Sequence, residues 1–275
     1  VASDTDSIYL TLDKLVEKFC QGKTKEQIIN FIDKVVDGKI EPFIEKCFEE
    51  VAEYTNAFQQ KMVMKREVIA DKGIWTAKKR YILNVLDEEG IRLENPKLKI
   101  MGIEAVRSST PEVCRGKIKE CINKIMTDEE SDVQKFIADF KKDFFTMKAE
   151  QISFPRSCNN IKKYFHASNI FIKGTPIHVK GALIYNHQLK EKNLHHKYPY
   201  INDGDKIKFI KLLEANPFKF DVISYITKLP KEFKLQEYID YETQFEKTFL
   251  DPMRFILQAI GWEHEPKASL EAFFG

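Results

Sequence analysis

The chain has no stretch approaching the 18 or so uncharged apolar residues of a membrane-spanning helix, and it does not open with a charged-then-apolar signal segment. Both absences point to an intracellular protein with no membrane partner. Its five cysteines (Cys20, Cys47, Cys114, Cys121, Cys158) form no CxxC pair, and their odd number suits reduced thiols better than a disulfide framework. A structural zinc site is therefore not expected. No phosphate-cradling glycine-rich loop and no nucleophile-base-acid arrangement stands out, which removes many common enzyme classes. Internal repeats and low-complexity tracts are also missing. So is an initiator Met: Val1 drops straight into what reads as the end of a strand, and further residues are expected ahead of it.

What is present is a 275-residue chain of 43% hydrophobic and 31% charged residues, enough to bury one large core or two modest ones. The net charge is only +2, but it is unevenly spread. From Arg156 to Lys211 there are 11 Lys and Arg against 3 Asp and Glu, a balance of +8; from Glu232 to Gly275 there are 4 against 9, a balance of −5. One basic surface beside a separate acidic end is expected, unless the charges only solvate the surface.

The spacing of residues predicts an opening hairpin, then a helix capped by Thr24-Lys25-Glu26-Gln27 and carried by Ile28, Ile29, Ile32, Val35 and Val36. Pro42 suits a second helix, or a kinked continuation, running to about Phe58, whose stripe of Phe43, Cys47, Val51 and Tyr54 should be core. From Lys61 the period becomes two. Strands are expected on either side of a loop at Asp71-Lys72-Gly73, with another turn at Asp87-Glu88-Glu89-Gly90 and the sheet continued by Lys99-Ile100-Met101-Gly102-Ile103-Glu104. Ser109-Thr110-Pro111-Glu112 reads as a capped helix start, followed by helices over 113–126 and 133–145. A less regular region over 154–211 includes a strand-like Ala182-Leu183-Ile184-Tyr185 and a turn at Asp203-Gly204-Asp205, and a last helical run spans 238–260. The fold class expected is α+β, an antiparallel sheet with packed helices followed by a mainly helical domain.

Two short stretches carry chemistry. In Asp4-Thr5-Asp6-Ser7, two carboxylates one residue apart would converge at a strand end or tight turn, and a divalent cation such as Mg²⁺ relieves the repulsion between them. The plainer reading is turn chemistry, which favours the same residues. In Lys78-Lys79-Arg80-Tyr81, a strand would present Lys79 and Tyr81 on one face and Lys78 and Arg80 on the other, cations with an aromatic tip that suit a nucleic-acid backbone or minor groove. The plainer reading is a charged sheet edge that discourages aggregation.

Taken together, these stretches resemble the C-terminal part of family B DNA polymerases, most closely those of T-even-type bacteriophages. Asp4-Thr5-Asp6-Ser7 is similar to the family's third palm motif, and Lys78-Lys79-Arg80-Tyr81 to its primer-template grip. Residues 99–104 with Val106-Arg107-Ser108-Ser109-Thr110-Pro111 resemble the passage from palm to thumb, and residues 177–186 a thumb segment. The resemblance implies residues 1–107 as the C-terminal part of a palm, 108–261 as a thumb holding duplex DNA, and 262–275 as a tail.

It further implies nucleotidyl transfer by two magnesium ions, with Asp6 a direct ligand, Asp4 a ligand or close neighbour, and Thr5 beside the incoming deoxynucleoside triphosphate. Lys79 and Tyr81 would lie in the minor groove near the primer end with Arg107 close by. Arg156, Lys162, Lys163, Lys173, Lys180, Lys190 and Lys192 would contact phosphates, with Asn159 and Asn160 as caps or additional donors. His195 and His196 are expected in a loop rather than on a metal. Glu67 and Glu89 match acidic palm positions, but Lys65 replaces another, so a surface ion pair with Lys65 or Arg66 is an equal expectation for Glu67. The family's first palm motif, fingers and exonuclease are not in this sequence, so the chain by itself should be catalytically silent, either an excised fragment or one half of a split polymerase that works with an N-terminal portion. Leu270, Phe273 and Phe274 resemble the anchors of a sliding-clamp-binding peptide, with Lys267 where many such peptides have Gln. The site of action implied is the cytoplasm of an infected bacterium. The alternative is a non-catalytic DNA-binding and clamp-tethering module.

Overall fold

The computed structural model describes residues 2–4, 6–103 and 107–266, with Ala2 and Asp4 described by backbone alone. The chain divides into two units, Val1–Met101 and Gly102–Gly275. Helices and antiparallel sheets occur in both, which is the α+β class expected.

The first unit opens with a hairpin. Strand β1 (Ala2–Asp4) pairs with β2 (Ser7–Tyr9), Asp4 opposite Ser7, with Asp6 in the turn. A short helix α1 (Asp13–Phe19) precedes α2 (Lys25–Val35), whose N-terminus carries the expected capping box. Thr24 Oγ1 accepts from the Gln27 amide at 3.3 Å, and Gln27 Oε1 accepts from the Thr24 amide at 3.0 Å, satisfying two amides that the first turn leaves without partners.

A π-helical turn, Val36–Ile40, joins α2 to α3 (Glu41–Tyr54), so of the two expectations the chain follows the continuation. The expected core stripe does not. Phe43, Val51 and Tyr54 are 67%, 48% and 89% exposed, and the half-covered residues are Ile44, Cys47, Phe48 and Ala52. A π turn inserts a residue into the helical ladder and so rotates the next segment of helix by about 100°, the angle one residue subtends. The covered face accordingly lies one position on from the stripe that uninterrupted α periodicity selects.

Three strands come next, β3 (Val68–Ala77), β4 (Arg80–Glu88) and β5 (Ile91–Met101), antiparallel in the order β3-β4-β5. The loop expected at Asp71-Lys72-Gly73 is absent: β3 runs through it, with register shifts between Ile69 and Lys72 taking up the extra residue as a bulge. Ile69, Ile74, Ile82, Leu83 and Val85 are buried, and Gly90, at φ +87°, makes the β4-β5 turn.

The second unit begins with α4 (Glu112–Thr127) and α5 (Glu130–Phe144). Pro111 is itself the N-cap of α4, at φ −54° and ψ 142°, and no side chain caps the helix, which corrects the reading of Ser109 as cap. After α6 (Ala149–Ile152) come β6 (Phe154–Ser157), α7 (Ile161–Tyr164) and a small hairpin of β7 (Phe165–His166) and β8 (Ile170–Phe171). Helix α8 (Ile177–Glu191) contains the Ala182–Tyr185 run expected as a strand. All four residues are buried, and a fully buried helix shows the same continuous apolar run as a fully buried strand.

Strands β9 (Lys206–Lys211) and β10 (Val222–Tyr225) complete a sheet of order β10-β9-β6. Helix α8 lies so close to β10 that a Cβ on Gly181 would stand 2.5 Å from Ser224 Oγ and 2.7 Å from the Ser224 amide nitrogen. The last helical run is α9 (Tyr241–Phe245), a π turn (Glu246–Leu250) and α10 (Asp251–Ala259), begun by Asp240, whose side chain accepts from the Thr243 amide at 3.0 Å. Phe140, Phe144, Phe245 and Phe249 pack edge-on or tilted in its core, ring centroids 4.8 to 5.9 Å apart. Among the described residues no helix is long and apolar enough to cross a membrane.

Candidate nucleic-acid interface and acidic hairpin

The basic motif of the first unit occupies a hairpin tip. Ala77 pairs with Arg80 and Trp75 with Tyr81, so Lys78 and Lys79 form the connection, Lys79 in the left-handed region at φ +62°. This corrects the expectation that all four residues alternate along a strand. A turn takes Lys78 and Lys79 out of the pleat, and only Arg80 and Tyr81 keep strand geometry. Thr76 Oγ1 donates to the Arg80 carbonyl at 3.3 Å and braces the tip, while a register shift between Trp75 and Ala77 re-aims the strand there. Lys78, Lys79 and Arg80 are exposed.

The acidic hairpin meets this tip through aromatic rings. Tyr9, on β2, lies 5.6 Å from Trp75 and 5.3 Å from Tyr81, and Trp75 lies 6.3 Å from Tyr81, centroid to centroid. Ser3, Tyr9, Trp75, Thr76, Ala77, Lys78, Lys79 and Tyr81 line one groove of 430 Å³. The strand flanks of the acidic hairpin thus share a surface with Lys78, Lys79 and Tyr81. Asp6 stands in the turn beyond, exposed. Thr5 and the Asp4 side chain lie outside the described residues, and among those described no group of three His, Cys, Asp or Glu is placed to hold a metal ion. Sequence reasoning missed Tyr9 and Trp75. The available signal was an aromatic in each of the two segments flanking the charged motifs.

Of the other acidic positions, Glu67 is held by an ion pair. Glu67 pairs with Lys99 at 2.5 Å rather than with Lys65 or Arg66, and Lys65 pairs with Glu41 at 2.8 Å. Glu89 sits in the β4-β5 turn with φ +53°, its amide donating to the Glu67 carbonyl at 2.7 Å. Beside it lies a network the sequence did not announce. Asp87, fully buried, accepts from Arg66, Arg92 and, at 3.0 Å, the Gly90 amide. Asp33 of α2 also faces both guanidinium groups, with 3.1 Å to Arg66, and Asn30 accepts from Arg92 at 3.0 Å. Burial alone would raise the Asp87 pKa; the bonds from Arg92, Arg66 and the Gly90 amide outweigh it and hold the carboxyl below its usual range. The network ties α2 to the β4-β5 hairpin.

In the second unit Arg156, Lys162, Lys163, Lys173, Lys190 and Lys192 are exposed. Lys163 lies over the Tyr164 ring at 5.6 Å and Lys192 over Phe218 at 5.8 Å. Lys180 differs: it donates to Asp221 at 2.6 Å, and Lys211 reaches the same carboxylate at 3.2 Å. Burial would raise the Asp221 pKa, but the two lysines prevail and lower it. Asn160 is the N-cap of α7 at φ +59° without a side-chain capping bond. His195 and His196 are exposed in a turn, His195 stacked on Tyr200 and edge-on to His196, as expected of loop residues. Arg107 is exposed. Leu270, Phe273 and Phe274 lie outside the described residues.

Comparison with known proteins extends the pattern. No family model matches the chain. It is 35% identical over 288 residues to the DNA-directed DNA polymerase of Enterobacteria phage T4, covering 100% of this chain and 32% of that protein. It is 37% identical over 286 residues to the DNA-directed DNA polymerase of Escherichia phage RB69, covering 98% of this chain and 31% of that protein. The chain spans about a third of the length of the curated relatives it matches. With an acidic hairpin and a basic hairpin tip on one groove and this similarity from end to end, the chain is a relative of one portion of the T-even-type phage DNA polymerases.

Proposed function

We propose that the chain is the C-terminal palm and thumb portion of a DNA-directed DNA polymerase, a nucleotidyltransferase that extends a primer on a template and is complete only with an N-terminal portion. The observation that carries this reading is the match over the whole chain to a third of two phage polymerases. The shared groove of the two hairpins supports it.

Asp6, an exposed carboxylate at a turn, is the kind of hard oxygen donor that Mg²⁺ takes, and Asp4 would join it. The donors fit magnesium but are too few to hold a two-ion site, so the remaining ligands would come from the N-terminal portion. When bound, the metal would favour the ionised primer hydroxyl and offset charge on the triphosphate. Thr5 would lie beside that triphosphate. Lys78, Lys79, Arg80 and Tyr81 would hold the primer-template backbone and minor groove, and Arg107, Arg156, Lys162 and Lys163 would grip the duplex through phosphates, fixing register without reading sequence. The Lys180 charge already faces Asp221, so its share in that grip would be smaller. Leu270, Phe273 and Phe274 would tether the polymerase to a sliding clamp, and the work would take place in the cytoplasm of the infected host.

Primer extension is the test. The chain alone should not extend a primer, and mixing it with the N-terminal portion should restore extension. In that mixture Asp6→Ala should abolish extension while duplex binding persists. Extension that survives Asp6→Ala would instead favour the non-catalytic tether.

A further inference from the structure

The groove between the two hairpins has more in it than a duplex grip needs. Charge alone serves a backbone contact, yet this groove has an aromatic floor. Trp75 is 42% exposed although it packs against Tyr9 and Tyr81. Its ring also lies over Gly73, where a Cβ would stand 2.5 Å from the indole, so the ring is held against the strand by a position that only glycine leaves open. Lys78 and Lys79, at the turn, put cations at the rim of that floor. A fixed, partly exposed indole beside ammonium groups is the pairing that binds a single-stranded nucleotide, the ring taking the base face and the cation the phosphate. A base pair inside a duplex has no free face to offer it.

We propose that this groove is a stacking site for one unpaired nucleotide, its base lying on Trp75 and its phosphate facing Lys78, as at a frayed strand end or a single-stranded overhang. The proposal rests on the reading of the chain as DNA-binding but adds a ligand that a duplex grip does not require.

Tryptophan fluorescence tests it on the full chain, because stacking with a base quenches indole emission and the sequence holds only two tryptophans, Trp75 and Trp262. With Trp262→Phe in place, the remaining emission reports Trp75. Oligothymidylate, and a duplex bearing a short single-stranded overhang, should quench it saturably; a blunt duplex of the same length should bind by fluorescence anisotropy without quenching. Trp75→Ala should weaken oligothymidylate binding about 5- to 150-fold, the loss expected for one stacked base, and Trp75→Phe should recover part of it. Should Trp75→Ala fail to fold, the quench in the Trp262→Phe protein still decides the matter. DNA that binds with no quench overturns the stacking site and leaves the polymerase reading standing. A quench by oligothymidylate with no duplex binding overturns the polymerase reading and leaves the stacking site. Absence of both overturns each.

Discussion

Asp87→Asn is the sharpest test of how the first unit is held together. The carboxylate is fully buried and accepts from two guanidinium groups and one amide, and the substitution keeps its shape while removing its charge. Removing one partner from a buried ion pair costs about 3–5 kcal/mol. Asp33 still faces both Arg66 and Arg92, which are 17% and 34% exposed, so the lower end of that range applies, about 3 kcal/mol. At about 4–8 °C per kcal/mol for a unit of this size, the transition of the first unit should fall by roughly 12–24 °C in scanning calorimetry. The pH dependence carries a sign of its own. Because the folded carboxyl is held below its ordinary value, its contribution is fully present above about pH 4 and is lost as pH falls through the lowered folded pKa. Asp87→Asn should therefore flatten the acid limb of the stability curve as well as lower it. Neutral surface substitutions change stability by up to about 0.5 kcal/mol. A loss no larger than that, or an unchanged acid limb, would show that the network does not hold α2 to the β4-β5 hairpin.

Other substitutions probe separate features. Gly181→Ala should lower the denaturant midpoint by the equivalent of about 1–3 kcal/mol, since the new methyl meets the Ser224 backbone, which cannot swing aside as a side chain can. Lys79→Gly should stabilise the first unit by about 0.5–1 kcal/mol, by relieving left-handed strain against the entropy glycine adds to the unfolded chain, and should weaken duplex binding in the same protein; binding that is unaffected would remove Lys79 from the interface. A thiol reagent at about pH 8 should modify Cys47 quickly and the other four cysteines only on unfolding, because burial pushes Cys114 and Cys158 up to about 11 and Cys121 up to about 12, and Cys20 is buried. Cys47→Ser should abolish the fast phase.

The local grammar of this protein was legible in its residues. The Thr24 capping box, the acidic hairpin, the helices over 112–127 and 130–144 and the α+β class arise from chemistry acting within a few positions, and each is where spacing puts it. The order of motifs along the chain was enough to point to the polymerases it resembles. Tertiary structure decided the rest. One residue inserted at the Val36–Ile40 turn rotates α3 and exposes Phe43, and Ala182–Tyr185, a buried apolar run that suits a strand equally well, lies within a 15-residue helix packed on β10. The same holds for the groove. Tyr9 and Trp75 are 66 positions apart and meet only because β2 is laid against the β3-β4 tip, while Asp33, Arg66 and Arg92 gather around the buried Asp87 only after α2 reaches the sheet. Periodicity reports which face of an element is apolar, whereas what that face meets is set by packing between distant segments, and no local pattern carries that information.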